Sequence, residues 1–493
     1  MNAEDRTSYR RVRMLTGFVT PVVLAVVLLA FASLHDGSWE PGMQVAGICR
    51  ELLAGTTQGR QALFGSCWSA PLPVLVYLPF AWLLPEPLAG WTAFFVAWLF
   101  AFWTVREAVK ASGHSGWRIV LAQAAIAGMV VVARQPQALQ LTTPLTAGLV
   151  LLAASSLADW AAFRRLRDVV ATGAAGSFLM LCGFPFFAPA GVAVALVPLM
   201  ACGDRESRQR VKAWVLLGCL PLLYTTGVWL LMNRLILGDA LFFLRSLHVL
   251  VANPVSFTLA VLLPGAVLLP ALIMTWLCDA QRSETGAGPH AATVILISFA
   301  LMFVGTTEVL GRFGLAWDSA TLHVCFLAVL MIALARLRQP IYRLAVTLAL
   351  FVWLTTLWLG HVPASATAQP RDKICRGVEE YVTSRTAYGR VFALGYAGLD
   401  LLRDYTGERL VANMDLHVGA LRRAYKGQNL YVLVPRPEGP ARAESVFWKH
   451  PDIYRHGGDR LLFAGAFGTW HLFEIISAPT QEQLDEWKKA GSQ

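Results

Sequence analysis

The stretch His35-Asp36-Gly37-Ser38-Trp39-Glu40 follows directly on residues 14–34, an apolar run long enough to cross a bilayer. A carboxylate fixed at a membrane surface by a helix end can act on a substrate whose lipid tail lies in the bilayer. There it could take a proton from an attacking hydroxyl as general base, an effect worth about 10²–10⁴ in rate. Asp36 is the candidate base and Glu40 a secondary candidate. The plainer reading is that Asp36-Gly37 opens a turn and Glu40 pairs with Arg50. A second set of residues is basic. Arg134, Arg245 and Arg312 stand close to the outward ends of apolar segments. His248, three residues after Arg245, would share a helical face with it. Guanidinium groups at that depth suit a phosphate head group, which they bind through paired, charge-assisted hydrogen bonds. Snorkelling to the interface explains any one of them equally well. Glu308 lies within an apolar segment, where an ionisable group is a functional candidate by default. Its alternative is an i,i+4 pair with Arg312. Asp318 and His323 open the next apolar segment.

The elements that must position these groups are apolar stretches recurring from Met14 to Gly360. We assign eleven spans: 14–34, 89–106, 118–134, 142–162, 169–186, 188–203, 213–233, 255–277, 291–310, 319–336 and 343–360. With the N-terminus inside, every cytoplasmic junction carries its own basic tag. These are Arg106/Lys110/Arg118, Arg164/Arg165/Arg167, Arg205/Arg208/Arg210/Lys212, Arg282 and Arg336/Arg338/Arg343. Only Arg50, Arg60, Arg134, Arg234, Arg245 and Arg312 fall on the outer side of this part of the chain. That bias is what the positive-inside rule predicts, and it sends the C-terminal segment outside. Segment 71–87 (PLPVLVYLPFAWLLPEP) breaks the pattern, because counting it as a span inverts every later loop. We read it as a helix at the outer interface, with Tyr77 and Trp82 as anchors.

A mean hydropathy of +0.53, with 56% hydrophobic and 15% charged residues, belongs to a membrane protein rather than a soluble one. The net charge of +10 comes largely from the cytoplasmic arginine clusters, so it implies no nucleic-acid partner. Residues 14–34 are too long for a signal-peptide core and read as a retained anchor. Cys49 and Cys67 share the first outer loop, where an oxidising exterior permits a bridge worth about 3 kcal/mol. Two thiols that never meet is the even alternative. No Cys/His spacing suggests zinc.

Residues 361–372 read as a polar linker, and the composition beyond is that of a soluble domain over 373–493. RVFALG (390–395), RLVAN (409–413), NLYVLVP (429–435), RLLFAGAFG (460–468) and WHLFEI (470–475) read as strands. LDLLRDYTG, HVGALRRAYKG and ARAESVFWKHPDIYRHGG between them have helical spacing. The alternation predicts a small, mostly parallel sheet covered by helices, with WHLFEI as a last edge strand. Gly395 and Gly398 read as a turn, not a phosphate loop. The fold class is thus an all-α polytopic membrane protein of about eleven transmembrane helices (residues 1–360, with interfacial helices in loop 35–88), followed by a C-terminal α/β domain.

The order of these features resembles the GT-C-type membrane glycosyltransferases, which include protein O-mannosyltransferases and aminoarabinose transferases. In that superfamily the first outer loop opens with an acid, an interfacial helix introduced by Pro and Leu follows, and the second span ends in cytoplasmic basic residues. The matching stretches are Asp36, Ser69-Ala70-Pro71-Leu72-Pro73, and Arg106-Glu107 with Lys110. Ala133-Arg134 resembles the family's arginine after span three. Asn233-Arg234-Leu235 with Gly238-Asp239-Ala240-Leu241-Phe242-Phe243 resembles its turn N-x-L-x-x-G-(D/N)-P-x-x-F, and Gly311-Arg312-Phe313 its arginine before a late span. Two features depart from the family. Asp36 is followed by Gly37 where a second acid is common, and RQPQALQLTTP (134–144) lacks the acid many members carry.

The resemblance implies a polyprenyl-phosphate- or diphosphate-linked sugar donor and inverting transfer to an acceptor on the outer face of the plasma (inner) membrane. Asp36 would be the base, and Arg134, Arg245 and Arg312 would hold the donor phosphate. No cofactor is expected, and the missing acids speak against a divalent metal. Expected partners are the lipid-linked donor, membrane lipids and an acceptor the sequence does not identify. A transporter or flippase is the first rival, disfavoured because charges gather at the outer face without a midplane ion site or inverted repeat. A non-catalytic scaffold of envelope-polysaccharide assembly is the second.

Overall fold

The structure, a computed structural model, describes residues 19–34, 43–55, 57–64, 71–111, 116–133, 141–163, 165–182, 205–241, 371–395, 405–413, 418–436 and 460–476, with isolated single positions and pairs between them. In chain order the helices are α1 (Thr20–Leu34), α2 (Met43–Leu53), α3 (Thr57–Phe64), α4 (Pro71–Leu83), α5 (Glu86–Ala111), α6 (Trp117–Ala133), α7 (Thr142–Phe163), α8 (Leu166–Met180), α9 (Arg205–Leu237), α10 (Arg371–Arg385) and α11 (Val418–Ala424). The strands are β1 (Gly389–Leu394), β2 (Leu410–Asn413), β3 (Asn429–Pro435), β4 (Leu461–Phe467) and β5 (Trp470–Ile475). The protein is mostly helical with a C-terminal mixed sheet. It divides into two compact units. One comprises 1–42, 70–240 and 250–362; the other comprises 43–69, 241–249 and 363–493.

In the first unit, α1, α5, α6, α7, α8 and α9 coincide with six of the eleven expected segments. Leu88–Ala111 and Lys212–Leu237 are the two described helices long and apolar enough to cross a membrane. The remaining expected spans, and with them the count of eleven, lie mostly outside the described residues. Hydroxyls inside this apolar bundle turn back onto their own helices. Thr172 and Ser177 donate to the carbonyls of Asp168 and Gly173, each at 2.8 Å, and buried Thr104 donates to Ala101 at 2.7 Å. A hydroxyl removed from water is thereby satisfied without a partner helix.

Small residues set how closely these helices approach. A Cβ built on Gly173 of α8 would lie 2.5 Å from the carbonyl oxygen of Gly218 on α9. On α7, Gly148 abuts the ring of Phe100 on α5, 2.6 Å from where a Cβ would stand. One interhelical polar contact fixes depth: buried Gln123 of α6 donates from Nε2 to the Phe102 carbonyl of α5 at 2.9 Å. Phe102 and Gln123 being level, Arg106 further along α5 and Arg118 nearer the start of α6 come out on the same side. Trp160 near the end of α7 meets Trp214 near the start of α9 edge-on, centroids 5.3 Å apart. With Gly218 against Gly173 one turn further on, α8 and α9 run parallel, and Arg165, Arg167 and Lys212 share one end.

Segment 71–87 contains the helix α4, with Pro79 inside it. At 1.5 Å per residue its 13 residues reach about 20 Å, short of the roughly 30 Å hydrocarbon core. The Leu72 N–H, an orphan of the first turn of α4, donates to the Leu181 carbonyl just beyond α8 at 2.9 Å. Each helix end supplies the partner the other lacks. Trp82 is 75% exposed, whereas Tyr77 is only 2% exposed. The expected pairing of the two as interfacial anchors is therefore corrected. Tyr77 faces the packed side of α4 with Pro73 and Val74.

In the second unit the five strands fall where the sequence places them, in the order β2-β1-β3-β5-β4. β1 pairs with β2 and with β3 in parallel, while β3–β5 and β4–β5 are antiparallel. The sheet is mixed, not mostly parallel, and WHLFEI is an interior strand with β4 as the edge. The two-residue link Gly468-Thr469 dictates the antiparallel β4–β5 pair, because only antiparallel neighbours can be joined by a tight turn. A helix the sequence reading assigned no role, α10, covers one face. Its Ile374, Cys375, Val378 and Val382 pack on Val391, Ala393, Tyr431, Leu433 and Leu472. α11 covers the opposite face, with Leu421 against Phe392, Leu430, Val432 and Phe473.

Candidate functional site

The expected site residues Asp36, Glu40, Arg134, Arg245, His248, Glu308, Arg312 and Asp318, and Cys67 of the expected bridge, lie outside the described residues. What is described is the set of elements that lead to them. The described part of α1 reaches Leu34, two residues before Asp36, and that of α6 reaches Ala133, immediately before Arg134. α9 stops at Leu237, ahead of Arg245. For α6 and α9 these ends are the ones opposite Arg118 and Lys212.

The turn after α9 carries the stretch Asn233-Arg234-Leu235 with Gly238-Asp239. Gly238 adopts φ +75°, and its N–H donates to the Arg234 carbonyl at 3.1 Å. The Arg234 guanidinium donates through Nη1 to the Gly238 carbonyl at 2.5 Å. This is a left-handed helix stop with a cation at the negative end of the helix dipole. Arg234, one of the six arginines outside the charge pattern, is thus accounted for by capping. Asn233 is fully buried and donates to the Trp229 carbonyl at 3.0 Å. Its Oδ1 has no hydrogen-bond partner among the described residues.

Some of the cations at the other helix ends have carboxylate partners beside them. Arg106 and Lys110 contact Glu107 at 2.7 and 3.7 Å, and Arg167 contacts Asp168 at 3.4 Å. Arg165 lies over the Phe163 ring and Arg118 over the Trp117 ring, at 4.6 and 5.8 Å. Basic residues on aromatic faces are what a membrane boundary favours.

The first-loop helices α2 and α3 belong to the same compact unit as the C-terminal domain. They approach closely, since a Cβ on Gly59 of α3 would stand 2.7 Å from backbone atoms of Glu51 and Leu52 on α2. Arg50 and Arg60 are exposed on these helices. Cys49 is buried, and burial pushes its thiol up to about 12, which suppresses the thiolate at neutral pH. Among the described residues, no three His, Cys, Asp or Glu side chains gather in a metal-holding arrangement.

Two side-chain clusters of the C-terminal domain were invisible in the sequence. The Tyr405 hydroxyl donates to Glu379 of α10, and burial first, then that carboxylate, pushes the phenol up to about 12. At the carboxyl edge of β3, the Arg436 Nε–H donates to His471 Nε2 of β5 at 3.0 Å. The His471 ring stands edge-on to Phe463 of β4, centroids 5.5 Å apart. These residues are 35 and eight apart in sequence and meet only because β5 lies between β3 and β4. Compared with known proteins, the chain matches no protein-family model and no curated protein sequence.

Proposed function

We propose that the chain is an integral membrane glycosyltransferase of GT-C type. It has about eleven spans, a cytoplasmic N-terminus and its C-terminal domain on the outer face of the plasma membrane. A sugar moves from a polyprenyl-(di)phosphate donor to an acceptor on that face, with inversion. Asp36 takes the acceptor proton, and Arg134, Arg245 and Arg312 hold the donor phosphate. The observation that carries this reading is the polarity of the helical unit. Arg106 and Arg118 share one end of the α5–α6 pair through the Gln123–Phe102 contact, and Arg165, Arg167 and Lys212 share one end of α8 and α9 through the Trp160–Trp214 and Gly173–Gly218 contacts. From the other end of α6 and α9 the chain runs on toward Arg134 and Arg245. The parallel course of α8 and α9 is also what the expected crossing at 188–203 calls for. The shared unit of loop helices α2 and α3 with residues 363–493 fits both being on one side of the membrane.

The chemistry asks for a base at the lipid boundary and cations for a phosphate leaving group, which the resemblance assigns to these residues. Asp36→Asn keeps the side-chain volume but cannot accept the proton. Sugar transfer from a polyprenyl-phosphate donor in proteoliposomes should then fall by about 10²–10⁴ at unchanged expression. Normal turnover in this variant would end the assignment and favour a transporter or a non-catalytic scaffold.

A further inference from the structure

We infer that the carboxyl edge of β3, with the adjoining faces of β5 and β4, is a subsite for an anionic sugar unit of the acceptor. Phe463 is the stacking platform and Arg436, oriented by His471, is the carboxylate-binding group. The inference rests on the membrane glycosyltransferase reading and names its acceptor class.

Phe463 is 55% exposed although Phe473, directly opposite on β5, is 3% exposed. Its ring is braced rather than covered. His471 and Phe473 stand nearly perpendicular to it, at 84° and 70°, with centroids 5.5 and 5.7 Å away. Edge-on neighbours fix an aromatic plane and leave a face open. That electron-rich face attracts the polarised C–H bonds on one side of a pyranose ring.

Arg436 is the first residue beyond β3. Its backbone N–H donates to the Thr469 carbonyl at 2.8 Å, which anchors it beside the β4–β5 turn. Its Nε–H donates to His471 Nε2, so that nitrogen carries no proton and the partner is an uncharged imidazole. A carboxylate partner would neutralise the guanidinium; a neutral one aims it and leaves its charge in place. The two terminal nitrogens keep the planar fork that fits a carboxylate in paired hydrogen bonds. Arg436 and His471 are half-buried, so such a pair would be partly shielded from water and salt.

The topology puts Arg436, at the carboxyl end of β3, beside the place where open α/β sheets take ligands. β1 is followed in sequence by β2 on one side and flanked by β3 on the other. Two crossovers of one hand that step in opposite directions must use opposite faces. Accordingly Leu401, after β1, packs on one face and Leu421, after β2, on the other. The carboxyl ends of β1 and β3 therefore bound a switch-point crevice, the usual ligand position. Gly395 leaves β1 at φ +78°, and a Cβ on Gly398 would meet the Ala393 carbonyl oxygen at 2.5 Å, so the chain turns tightly there.

The test uses the full chain in lipid nanodiscs, with trigalacturonate and its fully methyl-esterified form as probes of one shape and different charge. Calorimetric titration should give tighter binding of the acid than of the ester. Arg436→Gln should weaken the acid at least tenfold while barely moving the ester, and Arg436→Lys should restore only part. Phe463→Ser should weaken both probes. Thermal unfolding and circular dichroism check that each variant is folded; if Arg436→Gln is not, the Arg436→Lys comparison carries the same contrast. No binding of trigalacturonate, or equal affinity in Arg436→Gln, overturns the subsite. So does an Arg436 effect on anionic vesicles alone. Asp36→Asn separates the two readings. It should bind trigalacturonate normally while losing transfer, and loss of the glycosyltransferase reading would appear there without touching the binding result.

Discussion

Replacing Gly173 probes the closest backbone approach described in the helical unit. An added Cβ would stand 2.5 Å from the Gly218 carbonyl oxygen, with the carbonyl carbon and Cα of Gly218 at 3.2 Å. All three are main-chain atoms of α9, so no rotamer change relieves the overlap. α8 and α9 must separate by about half an ångström before the contact clears the 3.0 Å below which real Cβ atoms are essentially absent. Overpacking of this kind costs about 1–3 kcal/mol. Van der Waals fit rather than hydrophobic exclusion holds helices together in lipid, so little offsets that loss. Gly148→Ala is the built-in comparison. Its Cβ would meet the Phe100 ring at 2.6 Å, and a ring on a flexible side chain can turn away. Thermal unfolding of detergent-purified protein should therefore rank Gly173→Leu below Gly173→Ala, and both below Gly148→Ala. A Gly173→Leu protein as stable as the parent, with unchanged activity, would refute the close crossing and with it the parallel course of α8 and α9.

The remaining expectations concern topology, donor binding and the C-terminal domain. In intact cells, a cysteine introduced at position 440 should react with an impermeant maleimide and one at 207 should not; the reverse would mean that segment 71–87 crosses the membrane. Arg312→Ala should weaken donor binding by about 2–5 kcal/mol if its phosphate contact is desolvated, with Arg312→Lys recovering part. An Arg312–Glu308 pair predicts instead that the double variant regains the stability each single one loses. Tyr405 holds its proton up to about pH 12 in the folded domain and up to about 10 unfolded. Its contribution to stability is complete below pH 10 and declines as the pH rises from 10 to 12. Tyr405→Phe should flatten the loss of stability over that window, and an unaltered alkaline profile would show that the Glu379 contact does not form.

The sequence by itself determined the identities of most of the described helices and strands. Apolar runs such as 117–133 and 142–163 have few conformational options once long enough, and the basic tags at Arg106, Arg118 and Arg165 label their ends without reference to any neighbour. The five strands were legible for the same reason: runs like Leu430–Val434 sit on both-face-buried backbone, which local composition reports. What the tertiary structure decided is who lies beside whom. The two-residue turn makes β4 and β5 antiparallel, and the pairing of β5 with β3 puts β5 inside and β4 at the edge; no period within WHLFEI encodes that. The helix α10 escaped notice because its buried set (Ile374, Cys375, Val378, Val382) is broken by seven charged residues in one fifteen-residue helix. Tyr77 was placed by composition at an interface, yet it packs inward, because amphipathic side chains take whichever surface the helix rotation offers. The Arg436–His471–Phe463 cluster belongs wholly to the tertiary level. Three ordinary residues, two on strands and one just past the end of a third, acquire a shared chemistry only through the pairing of Val434 with His471 and Phe463 with Phe473, contacts made by the sheet and written in no local spacing.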